Sequence, residues 1–119
     1  MNSKFIFTRS VCPITNSLDL LGDKWTLLIV RDLVLGKKQY QEFLSSPEGI
    51  ATNILADRLK RLQEAGIVVR KAYQHNPVRY KYILTNKGDS LKSVLKILAS
   101  WGLKNFPGTR TSPSVTTRQ

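Results

Sequence analysis

The chain has few side chains of the kinds that carry out covalent chemistry, and their spacing does not assemble a catalytic centre. Cys12 is the single cysteine and His75 the single histidine, and they stand too far apart to predict a metal site. We find no phosphate-binding glycine loop, no paired carboxylates and no serine or cysteine nucleophile with an assignable base. The sequence therefore predicts neither an enzyme nor a bound metal or other cofactor.

Residues that can read the edges of nucleic-acid bases occur together between positions 52 and 57. Asn53 can pair bidentately with adenine, and the carboxylate of Asp57 can accept from cytosine. Thr52 and Ala56 share the same outward side, near the start of the segment. The neighbouring residues with charges suited to phosphate are Arg58, Lys60 and Arg61.

One helix from about Thr52 to Ala65 would present these residues together. Leu55, Leu59 and Leu62 fall within about 60° of one another at 100° per residue, so we expect them to form a buried stripe. The polar residues point away from that stripe. Such a helix, held by a partner helix, fits the major groove of DNA and is a candidate recognition helix.

The elements before this helix are all predicted to be helical. Pro13 suits the start of a first helix, and Gly22 is expected in the left-handed conformation that follows a helix end. A second helix, apolar on nearly all sides, is predicted from Lys24 to about Leu35. A short third helix is predicted from about Gln39 to Ser45.

The elements after it complete a winged helix-turn-helix. Residues 67–84 are rich in β-branched and aromatic residues around a short loop and predict a two-stranded hairpin, the wing. Thr85 can cap a long closing helix with an apolar stripe at steps of three and four. The predicted fold class is therefore mostly α with a small two-stranded β wing.

Basic residues accompany the hairpin and would lie along the DNA backbone or in the minor groove. In the wing they are Arg70, Lys71, His75, Arg79 and Lys81, although His75 can also be read as a solvated turn residue. Lys37 and Lys38 precede the third helix, where a DNA backbone could pass, or belong simply to a solvated face.

Composition agrees with an anionic partner. The 119 residues carry 19 lysines and arginines against 8 acidic residues, a formal charge of +11. Nucleic acid is the commonest partner of so basic a small domain, ahead of an anionic membrane surface, and mere solubility is the alternative. The most apolar run, residues 25–30, is far shorter than the roughly 20 residues that span a bilayer. With a single cysteine, we expect a cytoplasmic protein.

The ends of the chain differ from its middle. Residues 1–12 are predicted to form an N-terminal arm that packs on a neighbour, because Phe5, Ile6 and Phe7 are too apolar for a solvated segment. Residues 106–119, rich in proline, serine and threonine, are predicted to be a disordered tail. Residues 13–105 form the predicted winged helix-turn-helix domain with its dimerisation helices.

Residues 11–102 resemble the HxlR family of winged helix-turn-helix transcription regulators, relatives of the MarR group. The motifs that carry the resemblance are Cys12-Pro13, Gly22-Asp23-Lys24-Trp25, Tyr40 with Phe43, the leucine spacing before Gly66, Pro77 with Tyr82, Leu84-Thr85 with Gly88, and Trp101-Gly102. The resemblance implies a homodimer joined through the terminal helices, a recognition helix at 52–65, a wing at about 67–84, and control of nearby genes at a prokaryotic nucleoid.

The chain departs from the family pattern at the start of the recognition helix. The family commonly has Ser-Pro at the start of the recognition helix, whereas this chain has Ala51-Thr52. Alanine cannot cap a helix with its side chain, so Thr52 or Asn53 is expected to do so.

A dimer is also expected on other grounds. One recognition helix contacts only a few base pairs, whereas two copies related by a two-fold axis, about 34 Å apart, would read a palindrome. The closing helix has more apolar surface than a thin winged domain can cover. The predicted interface residues are Phe5, Phe7, Leu91, Leu95, Leu98 and Trp101.

Cys12 has two interpretations. At a helix N-terminus, with Arg9 nearby, its thiolate would be favoured, and oxidants or electrophiles could modify it. Some members of the family that the chain resembles use a cysteine at this position as a redox or aldehyde sensor. Alternatively it is an inert, half-buried residue at the dimer seam. Trp25 and Trp101 are interpreted as core or seam residues, or as part of an effector pocket.

Two functional hypotheses follow. The first is a homodimeric, sequence-specific, DNA-binding transcription regulator that responds to an oxidant, electrophile or other small ligand. The alternative is a winged-helix module that binds RNA or a protein partner without gene-specific DNA readout, because this fold does not determine its ligand.

Overall fold

The computed structural model describes residues 6–110 as six helices and one two-stranded sheet. The predicted fold class is confirmed. Phe5 and residues 111–119 of the predicted tail lie outside the described residues. Among the helices that are described, none is both long enough and apolar enough to span a membrane. The elements are α1 Pro13–Leu21, α2 Thr26–Val34, α3 Tyr40–Leu44, α4 Thr52–Glu64, β1 Val68–His75, β2 Val78–Leu84, α5 Asn86–Asp89 and α6 Leu91–Asn105.

The core forms where α2 and α4 face each other. Ile29 and Val30 of α2 are buried, and the leucine stripe predicted for α4 is confirmed, since all three leucines are buried. Phe43 of α3 joins this cluster and packs edge-to-face on Tyr82 of β2, with 6.2 Å between ring centroids. One apolar cluster therefore fixes α4 between the helical body and the wing.

The segment predicted to form one long closing helix consists of two helices, α5 and α6, so that prediction is corrected. The Thr85 hydroxyl accepts from the Gly88 amide at 3.1 Å, so the predicted cap is confirmed, but it begins only the single turn of α5. The Ser90 hydroxyl donates to the Lys87 carbonyl. A serine that bonds the backbone in this way competes with the regular helix, and α6 begins after it.

Two glycines at helix ends differ from each other. Gly66 has φ of 76°, the left-handed conformation that ends α4 as predicted. Gly22 has φ of −79°, so the left-handed conformation expected there is wrong. Position 22 has no room for a side chain, because a Cβ atom would lie 2.4 Å from the Leu18 carbonyl oxygen.

Strands β1 and β2 form the predicted antiparallel hairpin. Val68 pairs with Leu84 at its base, and a bulge lies between Ala72 and Gln74. Lys71 pairs directly with Lys81, so two like charges share one face of the wing. Such a pair destabilises an isolated hairpin. An anion placed against it would relieve the repulsion.

Candidate nucleic-acid interface

Helix α4 has an exposed, mainly polar strip beside its buried leucines. The side chains of the strip are exposed and fall within about 140° of one another at 100° per residue. The structure thus brings together four predicted base-reading residues and one of the three predicted phosphate contacts. The members of this α4 strip are Thr52, Asn53, Ala56, Asp57 and Lys60.

The start of α4 differs from the capping prediction. Ala51 itself occupies the N-cap position, without a side-chain hydrogen bond, and Thr52 is the first helical residue. The Tyr40 hydroxyl donates to the Thr52 carbonyl at 2.8 Å. A tyrosine from α3 therefore stabilises the start of the helix, a contact between elements that spacing along the sequence does not indicate.

The other two cations of α4 lie on its flank against the body. The Arg58 Nε donates to an Asp23 carboxylate oxygen at 2.8 Å, and Arg61 donates to the Asp19 carbonyl at 3.0 Å. Both partners belong to the α1–α2 corner, residues 19–26. The prediction that Arg58 and Arg61 contact phosphate is not supported by this placement, because both guanidinium groups contact protein.

The wing presents most of its predicted basic residues to solvent. Arg70, Lys71, His75 and Arg79 are exposed, and Lys81 is half-buried. The Arg70 guanidinium lies 3.9 Å from the ring centroid of Tyr80, a stacking contact that restricts it without neutralising its charge. The wing is therefore a cationic surface next to the α4 strip.

The two lysines before α3 have different environments. The Lys37 ammonium donates to the Ser46 hydroxyl at 2.6 Å and lies 4.0 Å from the buried carboxylate of Asp32. Lys38 is exposed, and its carbonyl accepts from the Tyr82 amide at 2.8 Å. Of the predicted pair, Lys38 is the one whose side chain extends into solvent.

A groove of about 260 Å³ between α3 and the wing was not predicted. All four tyrosines of the chain line it, together with Gln39, Gln41 and Arg79. Burial, followed by the proximity of Tyr82, raises the pKa of Tyr40 above its ordinary value, so its hydroxyl stays a donor. The tyrosines are spread over positions 40 to 82, and only the fold brings them together.

A second, apolar surface lies on α1 and α6, with the residues before α1. Leu98 and Trp101 are 51% and 57% exposed, and Ile14, Leu18 and Ile97 are also exposed. Leu91 is half-buried and Phe7 is exposed. Leu95 is only 7% exposed and packs in the core of one chain, so it offers little surface to a second copy, and its role in an interface stays a prediction.

Cys12 is half-buried and occupies the N-cap position of α1. The Thr15 amide and hydroxyl, and then the Ile14 amide, lower the pKa of its thiol, although none forms a capping hydrogen bond. Arg9 does not serve the thiol as expected, because it forms an ion pair with Asp19 at 2.7 Å. The thiolate is therefore favoured by the backbone and hydroxyl donors in the first turn of α1.

These features define a winged helix-turn-helix protein with a polar recognition helix and a basic wing. The HxlR-like helix-turn-helix family model matches residues 20–110, and the chain belongs to this family. The family and its relatives are transcription regulators, in agreement with the prediction that the chain is not an enzyme.

Relatives in sequence carry the same description. The HTH-type transcriptional regulator YodB of Bacillus subtilis is 34% identical over 94 residues, covering 78% of this chain and 84% of YodB. The HTH-type transcriptional regulator sll1512 of Synechocystis is 36% identical over 88 residues, covering 74% of this chain. The match spans 65% of sll1512, slightly less than two thirds of its length.

Solved structures of related regulators share the fold. Reduced YodB superimposes with a TM-score of 0.69 at 31% identity, covering 85% of this chain and 100% of YodB. The redox regulator HypR in its reduced form has a TM-score of 0.74 at 30% identity, covering 81% of this chain and 95% of HypR. YodB is also known after diamide treatment, and HypR in an oxidised form.

Proposed function

We propose that this transcription regulator is a homodimer that binds double-stranded DNA sequence-specifically through α4 and the wing. The observation that carries the proposal is the α4 strip, a contiguous, mainly polar surface on a helix whose adjacent side is anchored by three buried leucines. Asn53 would read an adenine edge, and Asp57, Thr52 and Ala56 would contact neighbouring bases. Lys60 would contact phosphate. A regulator of this kind acts at the nucleoid.

The wing and its surroundings would hold the DNA backbone. Phosphates placed near Lys71 and Lys81 would offset the repulsion between these two lysines, which pair across the strands. The exposed cations that would take part with them are Lys38, Arg70 and Arg79, with the exposed imidazole of His75 beside them, while Lys37 would act through the surrounding positive field.

A binding titration against salt tests this proposal. A duplex from the region upstream of the gene should bind more tightly than a scrambled duplex of the same composition. Affinity should fall linearly in log salt, with a slope of about −0.9 for each phosphate neutralised. Equal affinity for the scrambled duplex, or preference for an RNA duplex, would instead favour the alternative of a winged-helix module without gene-specific readout.

The dimer rests on the apolar surface of α1 and α6. Leu98 and Trp101 would be buried by a second copy, with Phe7 and the half-buried Leu91 at the margin. A two-fold axis there would place two α4 helices on one duplex if they lie about 34 Å apart. The region beside α1 also contains an open cavity of about 410 Å³ lined by Phe7, Leu20 and Leu91, which is large enough for a small effector.

We further propose that Cys12 makes DNA binding respond to oxidants or electrophiles. Support comes from the lowered pKa of its thiol and from two regulators of the same fold that exist in reduced and in oxidised or diamide-treated forms. As the single cysteine, Cys12 could form a disulfide only between subunits or with a small thiol. Two Cys12 thiols would each give up one electron and one proton, and diamide would take up both pairs to become the hydrazine.

The Cys12→Ser variant tests whether Cys12 is a sensor or an inert residue at the dimer interface. Wild-type DNA binding should change on addition of diamide or methylglyoxal, and the diamide effect should be reversed by dithiothreitol. The variant should bind DNA like the wild type before treatment and show no response afterwards. A response retained in the variant would dismiss this site.

A further inference from the structure

Two arginines of α4 connect the recognition helix to the α1–α2 corner. The contacts join Arg58 to Asp23 and Arg61 to the Asp19 carbonyl. They lie one turn apart on the flank of α4, between the α4 strip and the buried leucines. Both therefore hold the same side of the helix against the body.

Asp23 is itself firmly held in the corner. Its carboxylate accepts from the backbone amides of Trp25 and Thr26 at 3.0 and 3.2 Å, and also from the Thr26 hydroxyl. These groups begin α2, the most buried helix of the body. Arg58 thus bonds to a carboxylate that cannot follow α4 if the helix rotates.

Arg58 also contacts the α4 strip. Its Nη1 donates to the carboxylate of Asp57, one of the proposed base-reading residues. A continuous path, Asp23 to Arg58 to Asp57, connects the body to the reading surface. The side chains of Arg58 and Asp23 are only 20% and 23% exposed, so their pair is less screened by solvent than a surface ion pair.

The leucine stripe and this ion pair restrain different movements of α4. Burial of Leu55, Leu59 and Leu62 selects the side of the helix that faces the core, but the hydrophobic effect is non-directional, so its free energy changes little with a small rotation about the helix axis. A charge-assisted hydrogen bond has a preferred distance and angle. Base readout requires side chains held to within about 0.5 Å, which needs support of this directional kind.

We propose that Asp23 and Arg58 are positioning residues for operator recognition: their ion pair sets the rotation of α4 and the orientation of Asp57, and Arg58 does not bind phosphate. The inference rests on the proposed function, because it concerns how the same α4 strip reads DNA.

Lys60 provides a matched control for Arg58. It is a cation of the same helix, two positions away, but it lies within the exposed strip. Arg58→Met and Lys60→Met remove equal charge from α4. Each variant is titrated with the upstream duplex and with its scrambled counterpart over a range of salt, and its folding is checked by thermal melting.

The two variants should fail in different ways. Lys60→Met should weaken both duplexes by the same factor and reduce the salt slope by about 0.9. Arg58→Met should leave the slope unchanged and lower the preference for the upstream duplex by about tenfold, the effect of losing one good base contact. Asp23→Asn, which keeps the arginine, should behave like Arg58→Met and not like Lys60→Met.

Several results would overturn the inference. They are a salt slope that falls with Arg58→Met, a preference that stays at the wild-type value in that variant, and an Asp23→Asn protein that discriminates like the wild type. If Asp23→Asn does not fold, Arg58→Met decides alone. A wild type without any preference for the upstream duplex would remove the proposed function itself, and with it this inference.

Discussion

The surface of α4 and the wing and the surface of α1 and α6 are both exposed, yet they are chemically opposite. The first presents amide, carboxylate and cationic side chains, whereas the second presents leucine, isoleucine and tryptophan. A polar surface costs little in water, but exposed apolar side chains in this number are typical of an interface. The contrast fits the two partners proposed above, DNA on the polar surface and a second copy of the chain on the apolar one.

The apolar surface is expected to show the largest single effect. Leu98→Asp puts a charge in the proposed dimer interface, so the protein should become monomeric. DNA affinity should then fall about a hundredfold or more, because the second half-site is no longer bound in the same event. Sedimentation measures the oligomeric state and a mobility shift the affinity.

Ser100→Asp is the control for that variant. Ser100 is exposed on α6 but lies about 160° from Leu98 around the helix axis, outside the apolar surface. It should leave both the dimer and the DNA affinity unchanged. A Leu98→Asp protein that stays dimeric would place the interface elsewhere.

Within the polar surface, substitutions in α4 and in the wing should affect sequence specificity differently. Asn53→Ala should relax the preference at one base position and cost about 1 to 3 kcal/mol there. Arg79→Ala should weaken all sequences alike and reduce the salt slope. Titrations against a set of single-base variants of the operator measure both. Identical behaviour of the two variants would contradict the division between reading helix and wing.

The smallest effect concerns the corner that supports α4. Burial raises the pKa of Asp23, but hydrogen bonds from Thr26, Arg58 and the Trp25 amide more than offset this and lower it to about 2. Since the folded-state pKa lies below the unfolded value, the stabilisation is present above about pH 4 and is lost as the pH falls towards 2.

The loss should be about 1 kcal/mol, because the carboxylate is partly exposed and solvent screens the pair. Urea denaturation at pH 5 and pH 2 measures it. Asp23→Asn should show a smaller pH dependence than the wild type, whereas Asp89→Asn, which removes an exposed carboxylate that pairs with Lys92 at 3.2 Å, serves as the control. Equal pH dependence in wild type and Asp23→Asn would show that Asp23 does not contribute.

Local signals predicted most of the elements but not their junctions. The leucine spacing predicted both the extent and the buried side of α4, and the β-branched run predicted the hairpin. Periodicity does not predict the break at Ser90, because the apolar stripe begins only at Leu91 and the four residues of α5 carry no apolar side chain that could show whether they continue the same helix. Leu95 was assigned to the interface because periodicity identifies an apolar side without telling which partner covers it.

By itself the sequence determined the order of the elements, the buried stripe of α4, the basic character of the wing and the family, because each follows from residues close together in the chain or from composition. Only the tertiary structure decided which cations of α4 are exposed to solvent. In the sequence, Lys60 and Arg58 are both simply cations of the same helix. In the structure the carboxylate of Asp23, 35 positions away, binds Arg58, whereas Lys60 is exposed to solvent. Such pairing depends on how distant segments pack together, and this packing cannot be predicted from the spacing or the charge of residues along the chain.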